Sequence, residues 1–242
     1  MPWPQLDHIV IRMPDSATPA DLLKECWMFK RYFTITPGGI HTDGKTQNML
    51  ISLADGVYLE LRAFTTKRIW DRVARKPISL SDFAFLGRPV KDAAQAWQIN
   101  NTRESGRGDS KWIIIPAQSG WVNGILGFCV EDITGREGRV PSAPEHPSGV
   151  KAIKKITILQ FPNGESERTI QVYRDIIGQK TIGTKVIGPD EIYVGTPNGG
   201  KVEIEIREAR TKEEREALKR NQHGIYKVEF DVPGVALCND IL

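Results

Sequence analysis

Two histidines and one strand carboxylate are the residues of this chain best suited by type and spacing to move protons. His8 lies in LDHIVIRMP, His41 follows two glycines in PGGIH, and Glu60 lies in GVYLELRAF. A carboxylate beside an imidazole fixes the tautomer of the ring and raises its basicity toward neutral pH. These residues therefore predict acid–base proton transfer, in which the two histidines exchange protons and Glu60 orients a histidine or acts as the base.

The strands that carry these residues should present them on shared surfaces. In a β-strand a residue and its second neighbour lie on the same face, so Tyr58, Glu60 and Arg62 face one side of a sheet, and so do His8 and Val10. We expect such polar faces to line a cavity. Positive φ angles at the glycine pair of PGGIH would bring its histidine over that cavity and let the turn close on a substrate.

Further polar residues extend the predicted substrate pocket. Lys155 or Arg62 would stabilise a developing oxyanion. Glu131 ends a strand and faces either the pocket or solvent, and His146 follows a proline-rich stretch in which a turn residue is the simpler interpretation. The predicted pocket residues are Asn48, Arg62, Glu131, His146, Lys155 and Glu205.

One strand–helix–strand–strand–strand order occurs at both ends of the chain. Hydrophobic periodicity predicts strands at 6–12, 33–36, 48–53 and 56–64 with a helix at 15–31, then strands at 153–161, 181–187, 191–195 and 201–207 with a helix at 166–177. The segments LELRA and IEIRE correspond in this repeat, which places Glu60 opposite Glu205. We therefore predict an α+β protein built from repeated βαβββ modules.

The middle of the chain is predicted to form a weaker copy of the βαβββ module. Its strands are expected at 82–86, 112–115 and 125–133 and its helix at 90–101, and residues 101–110 and 135–149 are expected to be exposed connections with little regular structure. A helix at 211–221 and a strand at 225–232 should follow the last repeat. The predicted division is a first module at 1–65, a divergent middle module with long loops at 66–150, and a last module with an added helix and strand at 151–242.

Composition excludes several classes of function. The 242 residues are 40% hydrophobic, and 33 basic and 30 acidic residues are spread along the chain, so no concentrated positive field favours nucleic acid. Three cysteines without CxxC spacing argue against disulfides or a thiolate zinc site and favour a reducing compartment. No secretion signal or long apolar segment is evident, which predicts a cytoplasmic protein without a membrane partner.

Four motifs occur in order near the start of the chain: an LDHIV strand, a PGGxH turn, a TxN strand entry and an ADGxYLEL hairpin. Together they resemble the glyoxalase-like branch of the vicinal oxygen chelate superfamily. The resemblance is clearest over residues 6–64, weaker over 81–149 and mostly topological over 152–209. It implies paired βαβββ modules whose curved sheets enclose a cup-shaped site.

The resemblance also raises the question of a metal, because glyoxalase-type members take metal ligands from the first and last strands of each module. His8, Glu60 and Glu205 match three of these positions, whereas the fourth falls on Lys155 or Ile156. A lysine cation repels a divalent ion. The residues therefore favour a site that works without a metal, with a divalent ion on His8, Glu60 and Glu205 as the alternative.

The function that these observations favour is a glyoxalase-like enzyme of the isomerase or lyase type. It would isomerise, rearrange or eliminate a small organic molecule by proton transfer, for example in a tailoring step of secondary metabolism. The alternative is a non-catalytic protein that sequesters a small apolar or drug-like ligand in the same cup. No phosphate-binding glycine loop or GxSxG turn is present, so we expect no organic cofactor. The expected partner is a small-molecule substrate, and a homodimer is one possible assembly.

Overall fold

The computed structural model describes residues 4–65, 78–87, 102–116, 124–160, 165–177, 191–221 and 224–238. The strands of this part of the chain are β1 (Gln5–Arg12), β2 (Thr36–Ile40), β3 (Thr46–Ser52), β4 (Tyr58–Phe64), β5 (Ser79–Leu86), β6 (Arg103–Arg107), β7 (Ser110–Ile115), β8 (Phe128–Asp132), β9 (Ile153–Gln160), β10 (Glu191–Gly195), β11 (Lys201–Glu208), β12 (Gly224–Phe230) and β13 (Ala236–Cys238). The helices are α1 (Pro19–Glu25), α2 (Glu165–Ile177) and α3 (Lys212–Asn221), and short 3-10 turns occur at Cys26–Met28 and Arg136–Gly138.

Eight of these strands form one curved sheet in the order β2-β3-β4-β1-β5-β8-β7-β6. Its two halves repeat the same arrangement, because β1 runs parallel to β4 and β5 runs parallel to β8. The halves meet where β1 and β5 pair antiparallel, with His8 directly opposite Ala84. The fold class predicted from the sequence, repeated βαβββ modules in a cup-shaped sheet, is confirmed, and the first module pairs with the middle one.

The remaining strands continue the sheet in the order β10-β11-β9-β12-β13. They join the cup-shaped part through β10 and β1, where Gln5 pairs with Gly195. β11 runs parallel to β9 as β4 does to β1, and β12 lies antiparallel to β9 as β5 does to β1. The last module thus repeats the packing of the first around its own opening strand.

The core lies behind the concave face of the cup. Leu6 and Ile9 of β1 pack with Leu59 and Leu61 of β4 and with Leu22 of α1, and all five are fully buried. Because side chains alternate along β4, burial of its leucines turns Glu60 toward the cup. Among the described residues no helix has the length and apolar composition needed to cross a bilayer.

Helix α1 is shorter than its apolar pattern predicts. Thr18 is extended and its hydroxyl accepts a hydrogen bond from the backbone N–H of Asp21, so the helix begins after Thr18 with Pro19 in its first turn. It ends at Glu25 and continues as a 3-10 turn to Met28. The predicted helix at 15–31 is therefore too long. The cap at Thr18 sets where the helix begins, and the periodicity of apolar residues does not define that position.

Two predicted connections form regular structure. Residues 101–110 were expected to be irregular, but β6 and β7 form a hairpin there, with Gly108 in the left-handed region (φ 56°) at its turn. Pairing with β8 through β7 supplies the hairpin with backbone partners that a composition-based prediction does not consider. The glycine pair expected in a turn lies within β2, which pairs with β3. The predicted helix at 90–101 and strand at 181–187 lie outside the described residues.

Candidate active site

A pocket with about 570 Å³ of empty space, counted together with the open solvent at its mouth, lies in the concave face of the eight-stranded sheet. The first module contributes mostly polar side chains to its wall, including His8, His41, Asn48, Glu60 and Arg62. The middle module contributes arginines and a largely apolar surface, including Arg103, Arg107, Trp112, Phe128 and Arg139.

His8 is held in the wall by contacts on both ring nitrogens and on its ring face. Its Nδ1 lies 2.7 Å from a carboxylate oxygen of Asp7, and its ring stacks on Tyr58 with centroids 4.7 Å apart. Asp7 is an acceptor because its pKa is lowered, so Nδ1 carries the proton and donates it. The other nitrogen, Nε2, faces Glu60 Oε2 at 3.8 Å.

Asp7 can reach the neighbouring His8 because β1 is irregular at this point. The pairing of β1 with β5 shifts between Leu6 and His8, which makes Asp7 the extra residue of a β-bulge. In a regular strand, neighbouring side chains point to opposite faces. The bulge therefore brings a carboxylate beside the imidazole that the sequence alone would place on the far side of the sheet.

His41 approaches the same carboxylate from β2 and the turn that follows it. Its Nδ1 lies 2.6 Å from the hydroxyl of Thr46, and its Nε2 lies 3.7 Å from Glu60 Oε1. Burial lowers the pKa of His41, and the nearby charge of Glu60 only partly offsets this effect. His41 is therefore mostly neutral at neutral pH, with its ring edge-on to Trp112 at 6.0 Å.

Glu60 joins the two imidazoles. Burial alone would raise its pKa, but the charges of Arg62, His8 and His41 outweigh burial and lower the pKa to about 2, helped by a hydrogen bond from Asn48. The Asn48 amide nitrogen donates to Glu60 Oε1 at 2.8 Å. The cup thus contains a buried carboxylate that stays ionised, with one imidazole nitrogen facing each of its oxygens.

Asn48 is oriented by an arginine of the middle module. Its carboxamide oxygen accepts a hydrogen bond from Arg107 Nη1 at 3.2 Å, which leaves the amide nitrogen for Glu60 and, at 3.4 Å, for His41 Nε2. Arg107 Nη2 also donates to the backbone carbonyl of Arg139 at 2.7 Å. Because that Asn48 nitrogen donates toward His41 Nε2, the lone pair of the neutral ring lies on Nε2 and its proton on Nδ1.

A buried cluster of ion pairs around Asp7 supports this arrangement. Arg139, only 4% exposed, donates from Nη1 to Asp7 and to the Tyr58 hydroxyl at 2.8 Å each, and its Nε donates to Asp132 at 2.6 Å. Arg136 also binds Asp7 and donates to the carbonyl of Gly56. These cations outweigh the burial of Asp7 and hold its pKa well below the ordinary value.

The structure brings five of the predicted site residues together. His8, His41 and Glu60 converge, and Asn48 and Arg62 line the same cavity. Tyr58 also lines the cup, on the strand face that the alternation of β4 predicts. Sequence reasoning missed further residues that line or support the cup, namely Asp7, Thr46, Arg103, Arg107, Trp112, Phe128 and Arg139. Those of the middle module had no local signal, because their place depends on how the two modules pair.

Four predicted pocket residues, Glu131, His146, Lys155 and Glu205, lie outside the lining of this cavity. The His146 ring links two segments, because Nδ1 accepts from Thr34 N and Nε2 donates to the carbonyl of Ser52. Glu131 lies opposite Ile113 and points away from the cup, because its neighbours Phe128 and Val130 line it and side chains alternate.

Lys155 and Glu205 belong to the last module. Lys155 Nζ lies 2.6 Å from Glu203 and 3.4 Å from Glu205, and Glu205 also lies 3.5 Å from Arg207 Nε. They lie on the neighbouring strands β9 and β11, where Lys155 pairs with Glu203 and Glu205 with Thr157, whereas the cup is built from β1 to β8. The alignment of the first module with the last suggested these residues, whereas the structure pairs the first module with the middle one through β1 and β5.

The donor set does not fit the metal site implied by the resemblance. Ala84 lies opposite His8 at the junction of the halves, and Val130 pairs with β5 at the place where Glu60 pairs with β1. Two of the four positions that would supply ligands are therefore apolar, and Glu205 lies outside the cup. In the part of the chain that the structure describes, no three His, Cys, Asp or Glu side chains are grouped so that they could hold a metal ion.

The family model described as a glyoxalase-like domain matches residues 6–171. The chain belongs to this glyoxalase-like family. The resemblance inferred from the four motifs is thereby confirmed, and the match covers both halves of the cup and extends into α2. No curated protein sequence matches the chain significantly.

Several solved structures are similar to the chain at low sequence identity. A hypothetical protein from Staphylococcus aureus is 12% identical with a TM-score of 0.53, covering 84% of this chain and 86% of that one. A methylmalonyl-CoA epimerase from Streptomyces coelicolor is 15% identical, with a TM-score of 0.33 and coverage of 54% and 98%. A glyoxalase I mutant from Zea mays is 14% identical, with a TM-score of 0.38 and coverage of 90% and 71%.

Proposed function

We propose that this protein is an acid–base enzyme that isomerises, rearranges or eliminates a small organic molecule by moving a proton on a carbon next to a carbonyl group. One observation carries the proposal: the Nε2 atoms of His8 and His41 lie 3.8 and 3.7 Å from the two oxygens of the buried Glu60. Two imidazoles on one fixed anion supply an acid and a base at a single site.

His41 is the base in this proposal. Its ring is neutral, and its Nε2 lone pair faces the cup because Nδ1 donates to Thr46. Glu60, with a pKa of about 2, is too weak a base to remove a proton from carbon. Its part is to stay charged and to stabilise the imidazolium that forms when His41 accepts the proton.

His8 is the second proton carrier. Asp7 fixes its tautomer through Nδ1, so the exchangeable position is Nε2, on the side of Glu60 and the cup. The proton removed by one imidazole would be replaced from the other. The developing enolate oxygen would be stabilised by Arg62, which lines the cup, whereas Lys155 is excluded from this role by its position in the last module.

Proton exchange with solvent tests the proposal before the natural substrate is known. Pyruvate, levulinate, phenylpyruvate and benzylacetone would each be incubated with the protein in D₂O, and loss of the signals of protons next to the carbonyl would be followed by NMR. We expect faster loss for at least one compound that binds, and a drop of about 100-fold or more in His41→Asn and in His8→Asn.

His146→Asn is the matched control, because this histidine lies outside the cup, and circular dichroism would show that each variant is folded. Compounds that bind in the cup yet exchange no faster than in buffer, or that exchange equally fast in both site variants, would refute the proposal. That result would favour the sequestration alternative, which the apolar wall around Trp112 also supports.

A further inference from the structure

We infer that the ligand of the cup is an amphipathic carboxylate, an apolar ring or chain whose acidic group binds to the guanidinium groups of Arg62, Arg103 and Arg107. This inference names the substrate class for the site of the proposed function and rests on that function only in using the same cup. It follows from which charged side chains of the wall have partners and which do not.

Arg107 is a half-buried cation whose hydrogen bonds go to neutral groups. Its Nη1 donates to the Asn48 side chain and its Nη2 to the carbonyl of Arg139. No carboxylate of the described residues lies within ion-pair distance of it, in contrast to Arg139, which binds both Asp7 and Asp132. Because its hydrogen bonds go to neutral groups and the charge of Glu60 acts on it only beyond ion-pair distance, an anion in the cup would give Arg107 a charge-assisted partner.

Arg62 and Arg103 add two further cations to the same wall. In the described part of the chain neither forms an ion pair, whereas Arg12, beside Arg62 on the neighbouring strand, is paired with Asp15 at 2.5 Å. The two carboxylates that line the cup are Asp43 and Glu60, and Glu60 is already bound by Asn48 and faced by both imidazoles. Three guanidiniums thus share the cavity with two carboxylates that already have partners, since Glu60 accepts from Asn48 and Asp43 accepts from the backbone N–H of Lys45.

The opposite wall of the cavity suits an apolar group. Trp112, Ile114, Phe128 and Val130 line it from β7 and β8, and Trp112 is 5% exposed. A ligand that spans the cup would therefore place its hydrophobic part against these side chains and its charge on the arginines. Aromatic and aliphatic walls with a few convergent polar groups are typical of small-molecule sites.

The arginines also fix where the acidic group would lie. Arg107 donates to Asn48, whose amide nitrogen lies 3.4 Å from His41 Nε2, and Arg62 pairs with Asn48 across β3 and β4, so both arginines lie near that ring. A carboxylate held by them would bring its adjoining carbon next to His41 and Glu60. The substrate class is therefore a carboxylic acid whose reacting carbon lies close to the acid group.

Matched acid and amide ligands test the inference. Isothermal titration would compare cinnamate with cinnamamide, which has the same shape without the charge, and with acetate and phenyl phosphate. We expect cinnamate to bind about tenfold or more tightly than cinnamamide and than acetate, because a charge-assisted contact contributes more than a neutral one. Tighter binding of phenyl phosphate than of cinnamate would replace the carboxylate with a phosphate ester and overturn the stated class.

Two arginine variants test whether the carboxylate group of the ligand binds in the cup. Arg62→Met and Arg103→Met should each weaken cinnamate binding about tenfold while leaving cinnamamide binding nearly unchanged. Arg31→Met is the matched control, since Arg31 is exposed beside Tyr32 and outside the cavity. Equal affinity for acid and amide, or equal loss in the Arg31 variant, would contradict the inference.

This test is independent of catalysis. Cinnamate has no acidic proton on the carbon next to its carboxyl group, so its binding is unaffected if the proton-transfer proposal fails. If cinnamate binds but no compound shows faster proton exchange, the carboxylate ligand class is supported and the proposed enzyme activity is contradicted. If benzylacetone exchanges faster but cinnamate binds no more tightly than cinnamamide, the enzyme activity is supported and the carboxylate ligand class is contradicted.

Discussion

Glu60 stays charged although it is buried, and the cause lies in the residues that surround it. Two imidazoles, an arginine and the Asn48 amide all favour the ionised form, and together they outweigh burial. The interaction is mutual, because the Glu60 charge raises the pKa of His41 against the burial that lowers it. The carboxylate therefore sets how readily His41 accepts a proton.

Glu60→Gln tests this coupling. Without the negative charge, the pKa of His41 should fall further below its ordinary value, and exchange activity should drop because the base is weaker. An NMR titration of the imidazole carbon-bound protons measures the pKa directly, and four histidines make the assignment tractable. Glu60→Asp, which keeps the charge, should stay near the wild-type pKa. An unchanged His41 titration in Glu60→Gln would disprove the coupling.

A second carboxylate, that of Asp82, affects the stability of the folded state and has no part in the proposed proton transfer. Burial raises the pKa of Asp82 to about 6, although its Oδ1 accepts hydrogen bonds from the backbone N–H groups of Phe83 and Gly124. A carboxyl group whose pKa is raised by folding is neutral in both states well below its unfolded pKa, and its ionisation increasingly destabilises the folded state between about pH 4 and pH 6, above which the cost is constant.

Asp82→Asn should therefore stabilise the protein at pH 7.5 by about 1–2 kcal/mol, because Asn keeps the accepting oxygen and removes the charge from a partly exposed site. The advantage should disappear near pH 4. Urea denaturation at both pH values measures this difference. Asp82→Ala, which loses both hydrogen bonds, should be destabilised throughout, and a gain for Asp82→Asn that does not depend on pH would contradict the assignment.

The residues that the sequence could identify are those of the first module. His8, His41, Glu60, Asn48 and Arg62 lie within one continuous motif region, and strand alternation is enough to place them on one face. Their partners could not be inferred in the same way. Asp7 depends on a bulge, and Arg107 and Arg139 depend on how the two modules pair, and neither feature has a local signal in the chain.

At the scale of elements, β2 shows why its glycines are needed. The pairing of β2 with β3 shifts between Pro37 and Gly39, which makes Gly38 a bulge residue that lies against Asn48 and Arg107. A Cβ on Gly38 would overlap the Asn48 side chain and lie 2.9 Å from Arg107 Nη1. The glycine pair thus makes room for the groups that orient Glu60, and only Gly39 has positive φ.

Gly38→Ala should therefore displace Asn48 and cost about 1–3 kcal/mol of folding free energy, as expected for overpacking. Thermal unfolding would measure the loss, and the His41 NMR titration would report the lost support of Glu60. The control is Gly44→Ala, because Gly44 has positive φ but nothing within 4 Å of an added Cβ. A His41 pKa that shifts equally in both variants would show that backbone strain, not contact with Asn48, is responsible.

Element positions were predictable where hydrophobic alternation was strong. β1, β4, β9 and β11 were expected close to their observed bounds, because alternating apolar residues bury one face. The β6–β7 hairpin was missed because its first strand, RESGR, is polar and is stabilised by backbone pairing at the edge of the sheet. Backbone hydrogen bonding carries almost no compositional signature.

For the whole molecule, Arg139 is the residue that most directly joins the two halves of the cup. It comes from the middle module, and it binds Asp7 of β1, Tyr58 of β4 and Asp132 of β8. Asp7 is fully buried, so its charge depends on this arginine and on Arg136. The cluster ties the polar wall to the apolar wall.

Arg139→Met should reduce the free energy of unfolding by about 3–5 kcal/mol, because it leaves the carboxylate of Asp7 buried with one guanidinium instead of two. Urea denaturation measures the change, with Arg31→Met as the exposed control. The loss should shrink as the pH falls below the unfolded pKa of Asp7 toward its lower folded pKa, because the carboxylate then becomes protonated. A loss below about 1 kcal/mol would show that the cluster is not structural.

The division of the cup into a charged half and an apolar half has a practical consequence for redesign. The residues proposed to move protons come from β1 to β4, whereas Trp112, Ile114 and Phe128 line the cup from β7 and β8 with apolar side chains. Libraries restricted to these three positions should thus change which molecules bind while the proposed proton-transfer residues are kept. Under this proposal, ligand selectivity and reactivity can be altered separately.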